Sequence, residues 1–197
     1  MDKISAMTGT EMTYVVDSCP IILAKQRRSS HAKIAQELCD KGYNSSRDEY
    51  YYGVKLHTFA ARHTGTLPTA GALMVSRASE HDLPVAKQIM DDCHPFHCGT
   101  LHADKAYIDE DWEIALYRDY SVRIITPRKH KKNDFLRGGD AFSSFASALR
   151  QQIECFFNWL NTHTNIQSAS KVRSTAGLLV HIFGRIAVAF FARYLYS

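Results

Sequence analysis

Three acidic residues stand where hydrophobic patterning asks for something apolar. Asp17 interrupts "MTYVVDSCPIIL", Asp104 ends the strand-like part of "TLHADKAY", and Glu154 breaks "RQQIECFFNWLN". Each has an ordinary use by itself. A carboxylate at a strand end serves as a turn former or helix N-cap, because its oxygens satisfy orphan backbone N–H groups, and Glu154 could lie on a solvated helix surface. Taken together they suggest other chemistry. If the strands carrying Asp17 and Asp104 are neighbours, two buried like charges raise one another's pKa, and a bound cation is the usual relief. Hard oxygen ligands suit Mg²⁺ or Mn²⁺, and a third carboxylate from a covering helix would complete a cluster for two ions. Glu154 fits that part, since a fully solvated Glu is unexpected inside an apolar run. Arg150, one helical turn before it, faces the same side and could pair with a phosphate.

The elements that must position these residues follow in a definite order. "MTYVVDSCPIIL" reads as a β-rich run, and "YYYGVKLHTFAAR" alternates Tyr52, Val54, Leu56 and Thr58 against Tyr51, Gly53, Lys55 and His57, as a strand should. "AGALMVS" is a third strand. "SEHDLPVAKQIMDDC" carries a helix-start signature, with Asp82 as N-cap and Pro84 in the first turn, where a missing N–H costs nothing. "TLHADKAY" then gives strand four, "DEDWEIALYRDY" a second helix and "SVRIITP" strand five. From Ala141 onward, Phe145, Leu149, Ile153, Phe156, Phe157 and Leu160 recur at helical spacing. Three antiparallel strands followed by helix, strand, helix, strand and helix describe one α/β domain over residues 1–197, a mixed sheet of about five strands covered by helices. Ribonuclease-H-like folds have this order.

Bulk properties agree with a folded globular chain: 197 residues, 45% hydrophobic and 22% charged. Five cysteines in no regular framework favour reduced thiols and a cytoplasmic protein, and the N-terminal residues hold no apolar signal segment. The net charge of +4 is unevenly spread. "RKHKKNDFLR" sets Arg128, Lys129, Lys131, Lys132 and Arg137 against Asp134 alone, and "KQRRSSHAK" carries Lys25, Arg27, Arg28 and Lys33 without an acid. Either run alone would pass as a solvated loop; two runs flanking the carboxylates suggest a polyanion. The terminal stretch "GLLVHIFGRIAVAFFARYLY" is long enough to cross a bilayer. His181, Arg185 and Arg193 fall on one stripe of it, so a helix packed on the domain core is expected, with no membrane.

Two further groups draw less chemistry. Cys93, His94, His97 and Cys98 of "CHPFHC" invite a zinc reading, but their spacing does not match paired knuckles and they crowd one short loop. His57 is expected to be packed or paired, and an N-cap role suffices for Asp82.

The ordered set "VVDSCPIILAK", "YYYGVKLH", "HADKAY", "RQQIECFFNWLN" and "KVRSTAGLLVHIFGRIA" resembles the catalytic domain of bacterial insertion-sequence transposases of the DDE class, from roughly Val15 to Ala192. The resemblance implies a ribonuclease-H-like fold, with Asp17, Asp104 and Glu154 as the catalytic triad. It also implies two Mg²⁺ (or Mn²⁺) ions held by the triad, and cleavage and joining of DNA strands at transposon ends. Double-stranded DNA is then the partner, with a homo-oligomer in the active complex. The expected DNA contacts are Arg150, Lys105, Arg27, Arg28, Arg128, Lys129, Lys131 and Lys132. Some members carry Tyr, two residues, Arg, three residues, Glu, six residues, Lys on the last catalytic helix. Here Arg150 and Glu154 match, while Ser147 and Asn161 hold the Tyr and Lys positions. Members also place a helical end-recognition region ahead of the first catalytic strand, whereas only 16 residues precede Asp17. The expectation is a chain without that region. A second reading follows from it: a catalytically silent DNA-binding remnant that uses its basic loops and needs no metal.

Overall fold

The computed structural model describes residues 12–45, 47–128 and 141–195. Its centre is a six-stranded sheet. Strand β1 (Thr13–Lys25) pairs antiparallel with β3 (Glu49–Ala61) along nearly its whole length, Tyr14 opposite Ala61 and Lys25 opposite Tyr51. On the far edge of β3, β2 (Asp40–Asn44) pairs with residues 49–53 and β4 (Thr69–Arg77) with residues 54–61. The two short strands thus lie end to end along one long one. On its other side β1 runs parallel to β5 (Gly99–His102), which in turn runs parallel to β6 (Val122–Ile125). The expected adjacency of the strand bearing Asp17 and the strand leading to Asp104 is therefore present. The sheet has one strand more than the five read from the sequence, because β2, "DKGYN", is too polar to announce itself.

Alternation along β1 and β3 sorts two cores. Val15, Cys19, Ile21 and Leu23 of β1 with Tyr52, Val54, Leu56 and Ala60 of β3 face α4 (Ala141–Thr164) and α5 (Thr175–Leu195). Tyr14, Val16 and Phe59 face the opposite way, toward α2 (Asp82–Cys93) and α3 (Glu110–Tyr120). Residue 17 has the parity of Val15 and Cys19, which turns Asp17 toward α4.

Strand β1 outruns β5, whose pairing with it covers only Thr13 to Val15. The edge of β1 beyond that point is taken up again at Ile22, whose N–H donates to the Gln167 carbonyl (2.8 Å) and whose carbonyl accepts from Ala169 N–H (2.9 Å). Between these two pairings β1 is locally an edge strand. Pro20 is tolerated there because that side carries no ladder for a missing N–H to break. Gly53 answers a tight approach on the other side, since a Cβ at this position would lie 2.0 Å from the Ile21 carbonyl oxygen.

Helix α5 packs Leu178, Ile182, Ile186 and Ala189 inward, as expected of a terminal helix. Its polar stripe is turned to the protein as well: His181 meets the Ile166 carbonyl and Arg193 donates to the carbonyls of Leu67 and Pro68. The outward face is apolar, with Val180, Phe183, Val188 and Phe191 exposed. Among the described residues α5 is the helix long and apolar enough to cross a membrane by length and composition. The five cysteines are free.

Candidate active site

The open edge of β1, the residues just past β5 and the middle of α4 enclose a cavity of about 490 Å³. Asp17, Asp104, Glu154 and Arg150 all line it. Arg150 stands at their convergence, its guanidinium 3.1 Å from Asp17, 3.4 Å from Asp104 and 3.4 Å from Glu154. Thus the sequence-predicted carboxylates are brought together, and the arginine expected to meet a phosphate is the group they share.

Burial differs among the three. The Asp17 side chain is 19% exposed, Asp104 47% and Glu154 59%, so only Asp17 is a largely buried charge. The expectation of two buried carboxylates holds for one. Glu154 is mostly solvated in spite of its apolar neighbours, because α4 turns Ile153, Phe156, Phe157 and Leu160 to the core and Glu154 to the cavity mouth. Burial raises the Asp17 pKa, against the lowering effect of Arg150 and of the Ser18 N–H, which donates to its Oδ1 at 2.8 Å. Burial works against the Arg150 charge too, and Asp17, Asp104 and Glu154 outweigh it, so its pKa rises.

Asp104 has both of the uses its position suggested. Its Oδ1 accepts from Lys105 N–H (2.6 Å), capping a 3-10 turn over Lys105–Tyr107, while the same atom faces Arg150. Behind it, Tyr107 is fully buried with a hydroxyl that has no partner among the described residues; burial, followed by the charges of Asp82 and Asp17, pushes its pKa well up. Cys19, on the cavity floor, is held as a thiol with its pKa near 12, chiefly by burial and next by Asp17.

A fourth carboxylate escaped the sequence reading. Asp82 is not the N-cap of α2; His81 takes that place, and Asp82 sits in the first turn with its side chain turned to the sheet. There it accepts from Lys55 Nζ (2.9 Å) and Ser18 Oγ (3.2 Å), and both Asp82 and Lys55 line the cavity. The available signal was Lys55 itself, a cation in the middle of a strand with helices over both faces, which must find a partner. His57, on the same face, is buried and bonded to Ser76 Oγ at 2.8 Å, the packed role expected of it. Burial brings its pKa down to about 4, opposed by Asp82.

The remaining predicted contacts lie at different distances from this centre. Arg27 and Arg28, from the short helix α1 (Gln26–Ser29), line a second cavity of about 800 Å³ with Lys25 and Arg47. Arg47, Asn161 and Gln167 line both cavities, so the two adjoin. The Lys105 side chain is exposed and outside both. Arg128 is exposed near the start of α4, its N–H donating to Ser143 Oγ and its guanidinium 5.7 Å from the Phe142 ring. Lys129, Lys131 and Lys132 lie outside the described residues.

As a donor set the three carboxylates have the hard oxygen chemistry that Mg²⁺ or Mn²⁺ requires, and they already gather on one positive charge. With the guanidinium between them they stand apart, and among the described residues no three acidic, thiol or imidazole groups are close enough to share an ion. The cavity can therefore concentrate a cation at its acidic centre and an anionic chain along its basic extension.

No curated protein and no solved structure matches the chain. The family model described as the transposase DDE domain matches residues 10–191. Spanning almost all of the sequence, and with the mixed sheet in agreement, this match places the protein in the transposase DDE domain family.

Proposed function

We propose that the chain performs metal-dependent cleavage and transfer of DNA strands at transposon ends, with Asp17, Asp104 and Glu154 as its catalytic carboxylates. The convergence of these three, from β1, from the turn after β5 and from α4, on a single cation carries the reading. They would hold Mg²⁺ or Mn²⁺, two ions in the pattern the family resemblance implies. When bound, the ions supply a hydroxyl nucleophile activated at neutral pH and neutralise charge on the leaving 3′-oxygen of an in-line phosphoryl transfer. Asp17, the most enclosed of the three, fixes the position of the charge, and its bond from Ser18 N–H fixes its rotamer. Glu154 at the mouth is the carboxylate free to change partners as substrate arrives. Arg150 keeps the acidic residues from repelling one another. Arg27, Arg28 and Arg47 bind the backbone of duplex DNA beyond the reacting phosphate. The active complex is a homo-oligomer on that duplex.

Cleavage of a labelled duplex in Mn²⁺ tests this. Asp104→Asn keeps a capping oxygen for Lys105 N–H and removes the charge. Its rate should fall by more than the roughly 10–100-fold that outer-shell changes cost at metal sites. A variant that cuts as fast as the parent would reduce Asp104 to a turn residue. A parent that binds DNA and never cuts it would favour the silent remnant.

A further inference from the structure

We propose that Lys55 is a phosphate-binding residue of this site and that Asp82 is the residue that positions it. The proposal rests on the reading above, that the substrate is a DNA phosphodiester. Lys55 projects from the middle of β3, opposite Pro20 of β1, on the face turned to α2. Its ammonium donates to Asp82 Oδ1 at 2.9 Å and to the Glu80 carbonyl at 2.6 Å. An ammonium has three N–H donors, so among the described residues one is left beyond these two. The side chain is 18% exposed, and what it is exposed to includes the cavity of Asp17, Asp104 and Glu154.

Charge makes that donor important. Among the described residues, four carboxylates line the cavity (Asp17, Asp82, Asp104 and Glu154) and three cations (Arg47, Lys55 and Arg150), a balance of −1 before any metal or substrate enters. A phosphodiester approaching the metal-free cavity meets net repulsion. Arg150 is less available, because its Nη atoms face three carboxylates and its Nε is buried. Arg47 belongs to the side of the cavity that opens into the basic groove. Lys55 stands on the α2 side, a point charge with a donor to spare, which is how lysine recognises phosphate. Stability alone gives little reason for the pair, since an enclosed ion pair is commonly no better than apolar residues of the same volume. Asp82 is itself anchored, by its place in the first turn of α2 and by Ser18 Oγ at 3.2 Å, and Ser18 neighbours Asp17. The ammonium is thus tied to the same stretch of β1 as the most buried carboxylate.

The test is binding of a labelled DNA duplex by the 197-residue chain in EDTA, followed by fluorescence anisotropy from low to high NaCl, with melting curves for every variant. Lys55→Met should bind roughly three- to tenfold more weakly at low salt, with a salt slope shallower by about 0.9, the share of one phosphate contact. Lys55→Arg should recover most of the affinity. Lys55→Met strands the Asp82 charge, so Lys55→Met with Asp82→Asn is the decisive variant if the single one fails to fold. It leaves the net charge unchanged and should show the same losses. Asp82→Asn alone removes a negative charge, which by electrostatics would tighten binding; a positioning role predicts weaker binding. Equal or tighter binding by Asp82→Asn overturns the role of Asp82. A folded double variant with the parent's affinity and slope overturns the role of Lys55 and leaves the DNA reading standing. A parent that shows no salt-dependent binding overturns that reading, and the proposal with it.

Discussion

His57 is an uncharged imidazole sealed behind an acidic cavity, and its surroundings make its protonation a matter of stability. It faces Asp82 Oδ1 at 4.0 Å through Nδ1 and Ser76 Oγ at 2.8 Å through Nε2, with Lys55 near enough to oppose its charge. Burial holds its pKa near 4 against an ordinary 6.5. The unfolded chain therefore binds a proton that the folded chain refuses, and stability falls as pH drops from about 6.5 toward 4. At full effect the loss is on the order of 3 kcal/mol. His57→Gln, which keeps a donor for Ser76, should flatten this acid limb, and urea unfolding at pH 7.5 and pH 4.5 measures the difference. An equal acid loss in parent and variant would place the sensitive group elsewhere. At this scale the sequence displayed Asp17, Asp104 and Glu154 because each breaks or ends an apolar pattern, and Arg150 because it lies one helical turn before Glu154. Asp82 was concealed by its own helix-start signature: the same residue suits an N-cap and a first-turn carboxylate, and only the direction of the α2 axis decides between them. Lys55 was legible as a member of an alternating strand and illegible as a wall of the cavity, because its partner lies 27 residues away.

Strands and helices obey local pattern where one face is apolar, and depart from it where backbone meets backbone. Strands β1, β3 and β4 and helices α2 to α5 fall where alternation or helical spacing puts them, whereas β2 exists because β3 is longer than β4 and leaves residues 49–53 to pair. No periodicity within "DKGYN" could report that. Two glycines illustrate the same contrast. Gly53 lies where β1 bulges between Ile22 and Ala24, and a methyl group there would collide with the Ile21 carbonyl. Gly184 lies in α5 with nothing among the described residues within 4 Å of its missing Cβ. Gly53→Ala should therefore cost roughly 2–3 kcal/mol through displaced backbone. Gly184→Ala should stabilise by about 0.5–1 kcal/mol, since alanine restricts the unfolded chain and suits a helix. Denaturation midpoints of the two variants should move in opposite directions; a shift of the same sign would contradict the close approach of β1 and β3.

For the molecule as a whole, the acidic centre joins parts of the chain that nothing local holds together. An ion bound by Asp17, Asp104 and Glu154 would exist only in the folded state, and its binding free energy would be added to global stability. With Mg²⁺ or Mn²⁺ at about a hundred times its dissociation constant, the gain of about 2.7 kcal/mol corresponds to a melting shift of roughly 5–10 °C for a chain of this size. Asp104→Asn should lose most of that shift; an undiminished shift would mean that the ion binds elsewhere. The parallel pairing of β1 with β5 has a consequence of another kind. Thr13, Tyr14 and Val15 meet their partners Thr100, Leu101 and His102 only roughly 90 residues later, which at ribosomal rates of about 5–20 residues per second is some 5–20 s after β1 is made. Strand β3 covers the other edge of β1 sooner, so throughout that interval the nascent chain presents one bare, strongly apolar strand edge, the kind that recruits a second chain. A chaperone that keeps that edge from other nascent chains, supplied during expression at lower temperature, should raise the soluble yield of this protein.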